Sequence, residues 1–194
     1  MNKKRVAILI SGRGSNMRAL IEAASAPDYP AQIVLVLSNI AGAGGLAFAE
    51  ANGIRTEVVE HKNYASREAF DQAMDEKLAE ANAELVALAG FMRLLSTAFV
   101  EKWEGRMINI HPSLLPAYKG LHTHRRAIEA GEAFAGCTVH FVTPELDDGP
   151  AILQAKVPVL SGDSEETLAA RVLAEEHRIY PQALRLVAEG KAKI

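Results

Sequence analysis

The stretch RVAILISGRGSN, residues 5–16, is where the fold of this chain is decided. Val6 to Ile10 is solidly apolar, without the alternation of a strand that shows one face to water. Such a run reads as a strand covered on both faces. It passes directly into Ser11-Gly12-Arg13-Gly14-Ser15-Asn16 and then into a helical pattern over residues 15–25. Glycines in such a turn let backbone N–H groups approach a ligand closely, and the following helix adds partial positive charge at its start. Ser15 or Asn16 is expected to cap that helix. The functional reading is an anion site, most simply for a phosphate; the alternative is a plain tight turn.

Working outward, short β-rich runs alternate with helical patterns. Strands are expected at 5–10, 32–38, 54–59, 85–89, 106–110, 137–142 and 152–157. Helices are expected near 15–25, 43–52, 66–82, 96–102, 122–130 and 164–188. Strand–helix repetition of this kind predicts an α/β fold with a doubly wound, mostly parallel, Rossmann-like sheet. The last two strands are separated only by a loop, which predicts an antiparallel C-terminal addition followed by a long closing helix. Ligands in open α/β sheets bind beyond the carboxyl ends of the strands. The unusual polar segments fall there: SGRGSN after strand one, AGFMRLL after strand four, NIHPSLLP after strand five and TPELDDG after strand six.

The bulk composition narrows the function. With 194 residues, 49% hydrophobic and 23% charged, the chain suits one sizeable domain, taken as residues 1–194. A net charge of −3 gives no electrostatic case for nucleic acid. A single Cys excludes an internal disulfide framework and fits a reducing, cytoplasmic setting. The opening MNKKRVAILISG has too short an apolar run for a signal peptide, and no stretch reaches the length of a membrane span.

The first loop is not a dinucleotide fingerprint. Gly is required where Met17 stands, and strand two runs into Ser38-Asn39 rather than an acidic residue. No Walker A loop is present. A small phosphorylated metabolite is the better expectation.

The chemistry concentrates in MINIHPSLLP, residues 107–116. Alternation puts Asn109 and His111 on one face at the end of an apolar strand. A carboxylate beside an imidazole favours the charged ring, as a general acid needs, and Asp147 and Asp148 wait in a later loop. Asn109 would offer an N–H donor to a developing oxyanion. No Ser or Cys is placed as an elbow nucleophile, and Cys137 looks like strand core, so direct transfer is favoured. A metal held by His111, His122, His124 and Asp147 is disfavoured: no H-E-x-x-H or Cys cluster appears, and His122 and His124 point to different sides of their helix. Glu176 stands out on the last helix, where the inward stripe reads Ala169, Val172, Leu173, Glu176 and Tyr180. A carboxylate there needs a partner or a cleft.

Taken together, SGRGSN, SREAFD, LAGFMRLLS, NIHPSLLPAYKGLHTH, VHFVTPELDDGP, ILQAKVPV and EEHRIYP resemble the phosphoribosylglycinamide formyltransferase family of folate-dependent enzymes, nearly end to end. The Asn-x-His and Leu-Asp-x-Gly-Pro pair is shared with wider formyl-transferring folate enzymes. The Gly-Ser-Asn loop and the Glu-His-x-Ile-Tyr-Pro helix are similar to the glycinamide ribonucleotide branch. The resemblance implies the formyltransferase fold, with a phosphate-binding half to about residue 100 and a catalytic, folate-binding half from about residue 101.

It also implies an activity: formyl transfer from 10-formyltetrahydrofolate, a co-substrate, to the amine of glycinamide ribonucleotide in purine synthesis, without a metal. Asn109, His111 and Asp147 would be catalytic. Gly14, Ser15 and Asn16 would hold the ribonucleotide phosphate, and Glu176 its sugar hydroxyls. Arg67, Met92, Arg93, Leu94 and Leu95 would line the folate site with Asn109, Thr143, Pro144, Glu145, Leu146 and Asp147. Asp148 is the fallback for Asp147, and Arg13 could add charge to the phosphate site or face solvent. The partners are the two small substrates, with neither nucleic acid nor membrane, and the chain is expected as monomer or homodimer. Two relatives share the chemistry. The deformylase is expected to carry an additional N-terminal domain, and the methionyl-tRNA enzyme an additional C-terminal one.

Overall fold

A computed structural model describes residues 3–194. Seven strands form one sheet: β1 (Lys4–Ile10), β2 (Ala31–Ser38), β3 (Thr56–Val58), β4 (Leu85–Leu88), β5 (Met107–His111), β6 (Phe134–Phe141) and β7 (Ala151–Pro158). Six helices intervene: α1 (Ser15–Ala24), α2 (Gly44–Ala51), α3 (Arg67–Glu80), α4 (Thr97–Lys102), α5 (Thr123–Glu129) and α6 (Glu165–Ala188). The strand order is β3-β2-β1-β4-β5-β6-β7. Strands β1 to β5 pair in parallel, and β6 and β7 are antiparallel, as expected.

The solid apolar character of β1 has a direct cause. Val6, Ile8 and Ile10 pack into one core with α1, α2, α5 and α6, whereas Ala7 and Leu9 pack into the other with α3 and α4. Both faces of the strand are dry, so both parities are apolar. The order also reverses beside β1: β2 leaves to one side and β4 follows on the other. The loops after β1 and β4 therefore diverge from a topological switch point, the usual ligand crevice of such sheets.

Two features position α6 over that crevice. Ser164 and Thr167 form a reciprocal capping box at its start. Farther along, the fully buried Tyr180 donates its hydroxyl to the carbonyls of Leu88 at 2.9 Å and Ile108 at 3.3 Å. That bond pins the helix to β4 and β5, one turn after Glu176.

The structure corrects some local expectations. The strand expected at 54–59 pairs only over Thr56–Val58, and His61–Asn63 form a single 3-10 turn that periodicity does not reveal. Ser66 and Ser96 cap α3 and α4, accepting from Ala69 and Phe99. Ser15 and Asn16 do not cap α1. Gly14 starts that helix in the left-handed conformation (φ 67°), so both residues already lie within the first turn. On α6 the buried stripe is Leu168, Val172, Glu176, Ile179, Tyr180, Ala183, Leu184 and Val187, while Ala169 and Leu173 sit half-buried at its edge.

Candidate active site

Strand β5 carries buried Met107, Ile108 and Ile110, and turns Asn109 and His111 toward one face, as alternation requires. Directly opposite Asn109 on β6 stands His140. Its Nδ1 lies 2.8 Å from the Phe141 carbonyl, an acceptor only, so Nδ1 carries the hydrogen. Its Nε2 is then a bare acceptor, 3.2 Å from the Asn109 amide nitrogen. Burial pushes the His140 pKa down, against opposing help from the Phe141 carbonyl and Asp147, and keeps this ring neutral.

His111 is almost wholly buried, and each ring nitrogen faces an oxygen acceptor. Nε2 is 3.0 Å from the Tyr118 carbonyl, and Nδ1 is 3.4 Å from Asp147 Oδ2. The same Asp147 oxygen accepts from the Gly120 N–H at 2.9 Å. The other Asp147 oxygen lies 3.9 Å from His140 Nε2. Asp148 turns outward to pair with Lys119, so Asp147 is the carboxylate beside His111.

The route of Asp147 to this place differs from expectation. Because β6 is antiparallel, its carboxyl end lies at the start of β5: Phe141 pairs with Ile108, and the Val142 N–H donates to the Met107 carbonyl. The 142–150 segment thus leaves from the opposite edge to the other functional loops and folds back to bring Asp147 to His111. Asp147 holds φ 50°, a left-handed conformation that an aspartate tolerates in a sharp turn.

A second cluster lies at the start of α1. Buried Asn16 donates its amide to Glu176 Oε2 at 2.6 Å, across the α1–α6 contact. Burial raises the Glu176 pKa, with the Asn16 hydrogen bond working against it. Asn16 Oδ1 has no partner among the described residues. A carboxyl group and an orphaned amide oxygen side by side are complementary to hydrogen-bond donors, such as sugar hydroxyls. Gly14 is buried and Ser15 half-buried beside this pair, whereas Arg13 is exposed.

The loop after β4 presents exposed Met92, Arg93 and Leu94, with Leu95 half-buried. Its far end is held by Asp71 of α3, which accepts the Ser96 N–H at 2.6 Å. On the β6–β7 loop Pro144, Glu145 and Leu146 are exposed, and Thr143 is half-buried. Met92 and Leu146 keep 69% and 56% of their surface in water, large apolar areas on two of the loops expected to bind ligand. Arg67 is exposed in the first turn of α3, with no hydrogen bond or ion pair to the other expected folate residues.

Sequence reasoning missed His140, the Tyr118 carbonyl and Asp71. Only Asp71 left a signal, as an acidic residue on the apolar side of α3, with Phe70 and Met74. Among the described residues, no three His, Cys, Asp or Glu side chains gather in a way that could hold a metal ion. The Cys137 thiol is pushed up to about 12 by burial, with nearby Glu176 adding to the effect, which is unsuited to nucleophilic work.

Comparison with known proteins gives consistent matches. The model of the formyl transferase family matches residues 4–184. The phosphoribosylglycinamide formyltransferase of Escherichia coli (strain K12) is 49% identical over 189 residues, covering 97% of this chain and 89% of that protein. The trifunctional purine biosynthetic protein adenosine-3 of Gallus gallus is 54% identical over 193 residues; the match takes in 100% of this chain and 19% of that protein. The chain thus spans about a fifth of the length of such multifunctional relatives. A crystal structure of phosphoribosylglycinamide formyltransferase from Brucella melitensis superposes with a TM-score of 0.93 at 57% identity, over 96% of each chain.

Proposed function

The chain belongs to the formyl transferase family, and from that membership we propose that it moves the formyl group of 10-formyltetrahydrofolate to the amine of glycinamide ribonucleotide. The products are formylglycinamide ribonucleotide and tetrahydrofolate. One observation carries the reading: a buried His111–Asp147 pair at 3.4 Å, with Asn109 on the same strand face.

In this mechanism the ribonucleotide amine attacks the formyl carbon and forms a tetrahedral intermediate. The Asn109 amide and protonated His111 stabilise the oxyanion, in a site whose partners are already fixed and dry. The folate N10–carbon bond then breaks. A proton reaches N10 from His111, directly or through water, and the surplus proton of the attacking amine passes back to His111 by the same route, so the ring ends as it began. Asp147 holds Nδ1, so Nε2 is the nitrogen that meets the reacting atoms, and productive binding exchanges the Tyr118 carbonyl for substrate.

The orphaned Asn16 oxygen and the Glu176 carboxyl group suit the ribose, and the start of α1 with Gly14 and Ser15 suits the phosphate. Exposed Met92, Leu94 and Leu146, with Arg93, Leu95, Thr143, Pro144 and Glu145 beside them in sequence and Arg67 at the start of α3, would receive the folate. The halves before and after about residue 100 would act as one domain, with no metal required. No helix among the described residues is long and apolar enough to cross a membrane, and the reaction would take place in the cytoplasm.

Formyl transfer with purified protein and both substrates tests the proposal. Tetrahydrofolate should appear only when glycinamide ribonucleotide is present. Release without it would identify a deformylase instead, and formylation of methionyl-tRNA would identify the tRNA enzyme.

A further inference from the structure

Ser11 closes β1 and opens the loop that leads to Gly14, Ser15 and Asn16, and it is also bonded to the loop after β4. Its backbone N–H donates to the Gly90 carbonyl at 3.1 Å. Its hydroxyl accepts the Met92 N–H at 2.8 Å and spends its one hydrogen on Asn39 Oδ1 at 2.5 Å. Asn39, only 2% exposed, is fixed in turn by its amide nitrogen, 3.1 Å from His61 Nδ1. Thus one residue begins the ribonucleotide loop and holds both ends of the Gly90–Met92 turn. Gly90 lies in the left-handed region (φ 76°), which glycine adopts without a Cβ penalty.

The geometry has a consequence for a two-substrate reaction. Formyl transfer needs an amine from one site and a carbon from the other in near-contact, where errors of about 1 Å are costly. Met92 to Leu95 begins at the held end of this turn, and Asn16 lies five residues beyond Ser11. Any shift of the first loop carries with it the oxygen that holds the second.

We propose that Ser11 is a positioning residue that couples the ribonucleotide and folate sites, so that occupancy of one improves binding at the other. This rests on the functional reading above. The bonds to Asn39 and Met92 use directed donors and acceptors of a buried hydroxyl, which a methyl group cannot replace. By reciprocity the coupling has the same size in both directions.

The test uses the full chain, with glycinamide ribonucleotide and tetrahydrofolate as a non-reacting pair in calorimetry. In the wild type, each ligand tightens the other by about 5-fold, the size of one well-placed hydrogen bond. In Ser11→Ala the factor falls to 1 while each ligand alone still binds; Ser11→Thr, which keeps the hydroxyl, restores it. A purely structural role would weaken both ligands and leave their mutual factor intact, which overturns the proposal, as does a wild-type factor of 1. If Ser11→Ala does not fold, hydrogen exchange of wild-type residues 90–95 decides. Ribonucleotide alone should slow it, and unchanged exchange overturns the proposal. Failure of the wild type to bind either ligand overturns the functional reading and this one with it. Binding of both without coupling overturns only this one.

Discussion

Asp147 Oδ2 stands 3.4 Å from His111 Nδ1, and the two side chains are 8% and 7% exposed. A carboxylate and an imidazole enclosed together in this way interact far more strongly than they would in water. They are brought together by a loop that folds back from the far edge of the sheet, so the pairing depends on tertiary structure at every step.

Replacing Asp147 by Asn keeps the shape and an acceptor for the Gly120 N–H but removes the negative charge. The expected result is a fall in kcat of roughly 10²- to 10⁴-fold, the range of a general acid–base contribution. KM for both substrates should stay within a few fold. Steady-state kinetics decide, and a variant retaining more than a tenth of wild-type kcat would sink the assignment.

His140 should matter through Asn109. In His140→Phe the amide loses its acceptor, and kcat is expected to drop about 10-fold, because one directed hydrogen bond orienting the oxyanion donor is lost. The same residue leaves a signature in stability. Its folded pKa lies below the ordinary histidine value of about 6.5, so the unfolded chain binds the proton more readily as pH falls through that value. Stability from this group is present at neutral pH and is lost on acidification, by at most about 1.4 kcal/mol per pH unit. Melting curves from pH 7.5 to 5 should fall more steeply for wild type than for His140→Gln.

Glu176 behaves in the opposite sense. Burial raises its pKa, so stability is full below the unfolded value of 4.5 and is lost as pH rises through the folded value. Glu176→Gln keeps an acceptor for Asn16 and removes the cost of a buried charge. The variant should melt a few degrees higher than wild type at pH 8 and about equally at pH 4. Its KM for the ribonucleotide should rise about 10-fold. Equal melting at pH 8, with unchanged KM, would count against both the electrostatic and the binding role.

Gly149 and Gly162 make a contrasting pair. A Cβ on Gly149 would lie 1.8 Å from the Phe141 carbonyl oxygen, so Gly149→Ala must displace the loop carrying Asp147. Activity is expected to fall more than 100-fold, with about 1–3 kcal/mol lost in stability from overpacking. A Cβ on Gly162 meets nothing within 4 Å and suffers only its left-handed backbone (φ 84°), so Gly162→Ala should cost about 1 kcal/mol and leave kcat intact. Urea melts and rate assays on the two variants separate the effects.

Much of the architecture was legible because β1 and its neighbours are dry on both faces, which writes unbroken apolar runs into the sequence. Asn109 and His111 were legible for a local reason: two polar groups at alternate positions closing such a run. His140 was not, since Val139 and Phe141 make its surroundings an ordinary strand, and only the β5–β6 register sets it opposite Asn109. Register between strands distant in sequence leaves no local mark. The Tyr118 contribution is a backbone carbonyl, which no side chain announces. The failed cap at Ser15 and Asn16 has a similar origin, because Gly14 moved the helix start and freed Asn16 to meet Glu176.

The bond between Asn16 and Glu176 bears on how the protein is made. On the ribosome Asn16 emerges before α6, so its amide lacks the Glu176 partner while the sheet strands are synthesised. A nascent chain stalled before α6 lacks the other half of that pair, and also the Tyr180 clasp on β4 and β5. The proposed ribonucleotide pocket is therefore completed only when α6 has been made and docked.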